Sequence, residues 1–335
     1  MLGCEAVGSA VAWYFRNLYG VCEGPGSLPF YCDPDRVGAF AVVPERLASG
    51  TDDAIFRVFV TLSMYQALRD VVIMQQQRSL PHAAMLALAD ASYMQSSITK
   101  HGCPVLRSAE SFEEQCNVSK RGGVVDCGRQ PGARCHVKDA SRAFNRMGDM
   151  GKLPTSAWLR FWRAGGMSRV LTDVYRADGS PRRRALLLVD RFTRVYRVGR
   201  KLATMFVSAL STPALAPGLT PWFPEIDGHE LVVVDTNVAR AAEVFLAPGE
   251  PKTYDAREQW IREQAAQLDL RKFRPNLRRY SPRLVQQAIT AFCSKSNRIS
   301  RGDACVGRTT TCPDCAPDIC PFRPTAPQLG RTRPL

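Results

Sequence analysis

Apolar residues recur at helical spacing along most of this chain, and few segments alternate with the period of two that a half-buried strand requires. The clearest stretch is "DDAIFRVFVTLSMYQALRDVVIMQQQ", residues 52–77. It carries apolar side chains three and four apart, contains few breakers, and opens with Asp52 or Asp53 as the expected N-cap of one long helix. Helical patterns also appear at 7–18, 82–94, 155–165, 182–211, 256–268 and 282–293. "LVVVDTNVARAAEVFL" (231–246) reads as an apolar approach, an Asp N-cap at Asp235 and a further helix. The pattern predicts an all-α protein.

The gaps between these patterns divide the chain. Residues 1–51, rich in Gly, Pro and aromatics, read as an N-terminal extension that packs with the C-terminal lobe. Residues 52–234 form a first helical lobe, interrupted by a cysteine-containing, loop-like insertion at 101–137. A second interruption, at 211–230 ("STPALAPGLTPWFPEIDGHE"), is too rich in proline and glycine for a regular element. Residues 235–322 form a C-terminal helical lobe, and the basic, Pro-rich stretch 323–335 is expected to be disordered.

Composition alters this picture in two ways. With 45 Lys and Arg against 31 Asp and Glu, the net charge is +14, which favours a polyanionic partner over a small acidic metabolite. No apolar run reaches membrane-spanning length. The first 15 residues also lack the basic region and continuous apolar stretch of a signal peptide, so a cytoplasmic protein is expected. Twelve cysteines in a reducing compartment are then poor disulfide candidates, and some should hold a metal or cluster.

The densest cysteines are Cys305, Cys312, Cys315 and Cys320, spaced C-x6-C-x2-C-x4-C. A four-cysteine zinc site usually arrives as two separated C-x2-C pairs. A single compact loop with one such pair suits a [4Fe–4S] cluster better. A second set, Cys103, Cys116, Cys127 and Cys135, is flanked by His101 and His136. Its gaps are long and irregular, so unliganded thiols and a zinc ion are both open readings there.

The C-terminal loop resembles that of the endonuclease III-like members of the helix-hairpin-helix (HhH-GPD) DNA glycosylase superfamily, whose spacing is C-x6-C-x2-C-x5-C. A second similarity lies in "VYRVGRKLA" (195–203), set against the family's hairpin L-P-G-V-G-R-K-T-A, with Tyr196 and Arg197 standing at its Pro-Gly. A third is "VVVDTNVARA", set against V-D-T-H-I-F-R-V. The resemblance spans roughly 52–322 and implies a two-lobed helical fold, with the hairpin at about 192–210 and a cluster loop.

It further implies a monomeric enzyme on double-stranded DNA, removing a damaged or modified base and nicking the strand by β-elimination. Lys201 would be the Schiff-base nucleophile and Asp235 the essential carboxylate. Arg197, Val198, Gly199 and Arg200 would meet a DNA phosphate, with Gly199 expected at a left-handed or crowded position. Gln66, in "LSMYQALRD", matches a glutamine that fills the gap left by a flipped base. Read plainly, Asp235 is a helix N-cap and Lys201 a solvated helix residue. The lysine-to-aspartate interval of 34 residues exceeds the family's, with 211–230 as the insertion. Two alternatives stay open: a non-catalytic iron–sulfur DNA-binding protein on the same scaffold, and an iron–sulfur electron carrier.

Overall fold

A computed structural model describes residues 2–66, 68–121, 124–133, 135–143, 151–246, 249–294, 297 and 322. Cys305, Cys312, Cys315, Cys320 and the basic stretch 323–335 lie outside the described residues. The described chain is mostly helical. Its strands are a short antiparallel ribbon, Ser119–Arg121 with Val124–Asp126. No described helix is long and apolar enough to cross a membrane. The chain divides into two compact units, residues 28–228 and residues 1–27 with 229–335.

In the unit 28–228, helix Asp52–Ser63 is buried on nearly every face from Ala54 onward. An aromatic core surrounds it. The Phe59 ring lies 5.0 Å from Phe206 and 5.4 Å from Phe192, and Phe56 lies 4.7 Å from Trp162. These rings join helix Asp52–Ser63, the turn Trp158–Trp162, and helices Pro181–Thr193 and Arg200–Ser211 into one packed body.

Tertiary contacts redraw three local expectations. The long helix 52–77 is two, Asp52–Ser63 and Asp70–Ser79. The second folds back so that buried Gln77 donates to the Thr61 carbonyl at 2.9 Å, while Gln66 donates to Ser63 at 2.9 Å. Two carbonyls near the end of the first helix thus gain side-chain donors that a straight continuation would not supply. Residues 82–94 also break, at Asp90, whose carboxylate caps helix Ala91–His101 by accepting from the Tyr93 N–H at 2.7 Å. Asp52 does not cap its own helix, where Thr51 is the N-cap. Its carboxylate instead accepts from the Met167 N–H at 2.9 Å, at the start of helix Gly166–Ala177.

The insertion 101–137 is not a loop. It holds a 3-10 turn (Pro104–Arg107), helix Ala109–Gln115 and the β-ribbon, with Phe112, Val118 and Val125 buried.

In the unit formed by 1–27 and 229–335, helix Leu2–Asn17 packs along helix Pro282–Cys293. Val7, Ala10, Val11 and Tyr14 form the buried stripe of the first; Leu284, Val285, Ala288 and Ile289 are buried on the second. Trp13 meets Phe292 edge-on at 5.4 Å, and Phe15 stacks on Phe273 at 5.4 Å.

Candidate functional site

Helices Pro181–Thr193 and Arg200–Ser211 form a hairpin. Ser180 caps the first, with Pro181 at the start where a missing N–H costs nothing. In the connection, the Val195 carbonyl accepts from the Val198 N–H at 3.0 Å, and Arg197 sits between them at φ +62°. A left-handed third residue with an ordinary second one defines a type II turn, for which Pro-Gly is the favoured central pair. Here that pair is Tyr196-Arg197. The glycine expectation is therefore corrected: the left-handed position belongs to Arg197. Gly199 has φ −89°, and a Cβ placed on it would meet nothing within 4 Å.

Val195 and Val198 are buried and pin the turn from below, and the Val198 N–H is the one that closes it. Arg194, Arg197, Gly199 and Arg200 are exposed. Gly199, the N-cap of helix Arg200–Ser211, has no side chain to cap its first turn. The positive end of that helix therefore starts at an exposed glycine among exposed arginines, an arrangement that attracts anions.

Lys201, half-buried on that first turn, extends its Nζ to 3.4 Å from the Tyr65 carbonyl. The tertiary fold thus brings Lys201 to the segment that carries Gln66, whose own amide is turned to Ser63. Tyr65 stands out there. Its hydroxyl is buried without a hydrogen bond among the described residues, and burial pushes its phenol well above the ordinary range. Position alone gave it no distinction in the sequence.

Asp235 belongs to the other unit. Its Oδ1 accepts from the Val238 N–H at 2.8 Å, the N-cap bond expected of it, and its Oδ2 accepts from Thr290 at 3.0 Å. Behind it runs a buried polar chain. Gln286 donates to Thr290 at 2.8 Å and accepts from Arg283 at 2.7 Å; Arg283 also donates to Gln287 at 3.1 Å. Gln287 in turn donates to Glu23 at 3.1 Å, and the Tyr14 hydroxyl donates to the same carboxylate at 2.8 Å. Burial lowers Arg283 to about 10, against the opposing pull of Tyr14, Glu23 and Asp235. The apolar run before Asp235 is extended and buried from Leu231 to Val234, with Tyr254 donating to the Val232 carbonyl at 2.8 Å. The partners at 283–290 lie on a helix that reads as merely amphipathic, so sequence gave no sign of the chain.

The Pro-rich stretch leaves helix Arg200–Ser211 and returns to it: the Gly228 N–H donates to the Ser211 carbonyl at 3.0 Å. Side-chain space there is closed, since a Cβ on Gly228 would approach Ser211 Oγ to 2.4 Å. Trp222 is buried against Phe206, 5.4 Å between centroids, so it belongs to the core and does not project toward a ligand.

Cys103, Cys116, Cys127 and Cys135, scattered in sequence, all line one cavity of about 350 Å³. All four are free thiols, and burial pushes Cys116 and Cys135 up. His136 does not line the cavity; its Nε2 engages Thr155 at 3.1 Å. Among the described residues, no group of three or more His, Cys, Asp or Glu side chains is placed to hold a metal ion.

The insertion also supports the hairpin. Lys152 donates to the Cys116 carbonyl, and its ammonium lies 5.5 Å from the Tyr196 ring centroid. Ser156 accepts from the Tyr196 N–H at 3.0 Å and donates to Glu113 at 2.5 Å, and Arg160 grips Glu113 through both carboxylate oxygens at 2.9 and 2.6 Å.

Compared with known proteins, the chain matches no family model, no curated protein and no solved structure.

Proposed function

We propose that this protein is a DNA glycosylase that removes a damaged or modified base from double-stranded DNA, with an associated lyase step through Lys201. The observation that carries this reading is the hairpin: a type II turn leading into an exposed, arginine-rimmed helix start with glycine at its N-cap, and Lys201 one residue into that helix. A DNA phosphate at the Arg197–Lys201 turn would meet backbone amides and the Arg197 and Arg200 guanidiniums, fixing register without reading sequence. Open space at Gly199 lets a sugar-phosphate backbone approach closely.

The target nucleotide would be rotated out of the stack, as base chemistry requires. Cleavage breaks the N-glycosidic bond: its electron pair leaves with the base, which takes up a proton, while positive charge builds on the sugar. Asp235 would stabilise that charge as a carboxylate. Lys201 Nζ, in its neutral form, would bond to C1′ and lose its proton, and the sugar ring opens to an imine. Loss of a C2′ proton then breaks the bond to the 3′ phosphate oxygen. Cys305, Cys312, Cys315 and Cys320 would hold a [4Fe–4S] cluster that shapes a basic loop against the phosphates.

Borohydride trapping on a duplex with one abasic site tests this directly. Wild type should give a covalent adduct, and Lys201→Ala should lose it by at least about 10³-fold. Because the side chain is only half-buried, that substitution should move stability by no more than about 0.5 kcal/mol. Trapping by the folded variant at the wild-type level would overturn the lysine assignment.

A specific observation favours a second reading, a non-catalytic DNA-binding protein: both Asp235 oxygens already serve structural bonds. Under it, DNA affinity falls steeply with salt while neither Lys201 nor Asp235 substitution touches any cleavage.

A further inference from the structure

We infer that Cys103, Cys116, Cys127 and Cys135 together ligate one iron–sulfur cluster, distinct from the C-terminal cysteine set and independent of the DNA chemistry. Each cysteine stands at the end of a secondary-structure element. Cys103 precedes the turn Pro104–Arg107, Cys116 follows helix Ala109–Gln115, Cys127 follows the strand Val124–Asp126, and Cys135 precedes helix His136–Ala143. Four elements separated in sequence therefore deliver four thiols, and no other cysteine, to one cavity wall.

The size of the space identifies the occupant class. A single tetrahedral zinc ion sits about 2.3 Å from each sulfur, which draws four sulfurs to within about 4 Å of one another. Here the four cysteines line a cavity of about 350 Å³, otherwise walled largely by Val105, Leu106, Phe112, Val118 and Val137. A cubane of four irons and four sulfides carries its four thiolates on the corners of such a body, and cysteine thiolates are its usual ligands.

Charge agrees with this assignment. A cluster with four thiolates is an anion, and Arg129 and Lys138 stand in the same wall. Lys138 is buried and held by the carbonyls of Gln130 at 2.8 Å and Ala133 at 3.0 Å, with Asp126 at 2.5 Å. Those carbonyls belong to the segment between Cys127 and Cys135, so the cation fixes the chain between two of the ligands. Ordinary buried thiols pack as small hydrophobes into a filled core. Four half-buried thiols set around one cavity do not follow that pattern.

The test is metal analysis of the full chain purified without oxygen, in three forms. Wild type should carry about eight irons and eight sulfides per chain, from two clusters. Cys312→Ser with Cys315→Ser should keep about four irons and the visible absorption of a cluster. Cys116→Ser with Cys135→Ser should lose the insertion's share. If the first double variant is folded and iron-free, or if the insertion cysteines carry zinc, the assignment falls. If instead the insertion variant alone is iron-free, the C-terminal cluster expectation fails and this one stands.

A measurement on the native chain decides the matter should either variant not fold. Alkylation mapped by mass should spare Cys103, Cys116, Cys127 and Cys135 until the iron is chelated, then label all four. Equal labelling before and after chelation overturns the assignment.

Discussion

The two units hold their candidate catalytic residues by opposite means. Lys201 stands on a helix braced by rings: Phe206, Phe192, Phe59 and Trp222 touch through apolar faces. Asp235 stands at the head of a helix held by directed bonds, through Thr290 and Gln286 to the buried Arg283. Apolar packing needs volume and shape, and accepts a similar side chain at modest cost. A buried hydrogen-bond chain needs each donor and acceptor in place, because a single missing partner strands the others in a low dielectric. The lysine can thus drift slightly with little loss, whereas the carboxylate is fixed in orientation.

The largest expected effect comes from breaking the polar chain while keeping its shape. Gln286→Leu removes the acceptor for Arg283 and the donor to Thr290, and should cost about 3–5 kcal/mol in denaturant unfolding. Phe206→Leu, in the ring-packed unit, should cost about 1–2 kcal/mol. Equal costs would mean that the polar chain carries no special weight.

A smaller effect should follow from Asp235→Asn. The amide keeps a cap acceptor, so stability should fall by about 1 kcal/mol or less. Base excision by the proposed enzyme should fall far more, by at least about 10²-fold. A loss of excision no greater than the loss of folded protein would assign Asp235 a purely structural role.

Arg197→Gly sharpens the comparison from the other side. Relieving the left-handed position should stabilise the fold by about 1 kcal/mol, seen as a raised melting temperature. Removing one guanidinium from the turn should shallow the salt dependence of DNA affinity by about one phosphate contact. An unchanged salt slope would place Arg197 outside the DNA interface.

Part of this was legible in the sequence. Helix Pro282–Cys293 begins at a proline one residue after the Ser281 cap, and its apolar spacing is unbroken, so pattern alone fixed its ends. The helical character of 182–211 and the capping role of Asp235 were equally readable, because periodicity and caps are local properties. The break after Ser63 was not legible. It depends on Gln77 reaching the Thr61 carbonyl, a contact made across two helices.

The amino-acid sequence by itself determined a mostly helical, basic chain, the site of its Asp cap, and which residues could carry chemistry. Those facts follow from spacing along one segment. Only the tertiary structure decided that Arg197 takes the left-handed turn position, that Trp222 is a core residue, and that Lys201 lies beside Tyr65. It alone gathered four irregularly spaced cysteines around one cavity. Each of these depends on residues far apart in sequence meeting in space, and one-dimensional periodicity carries no record of such meetings.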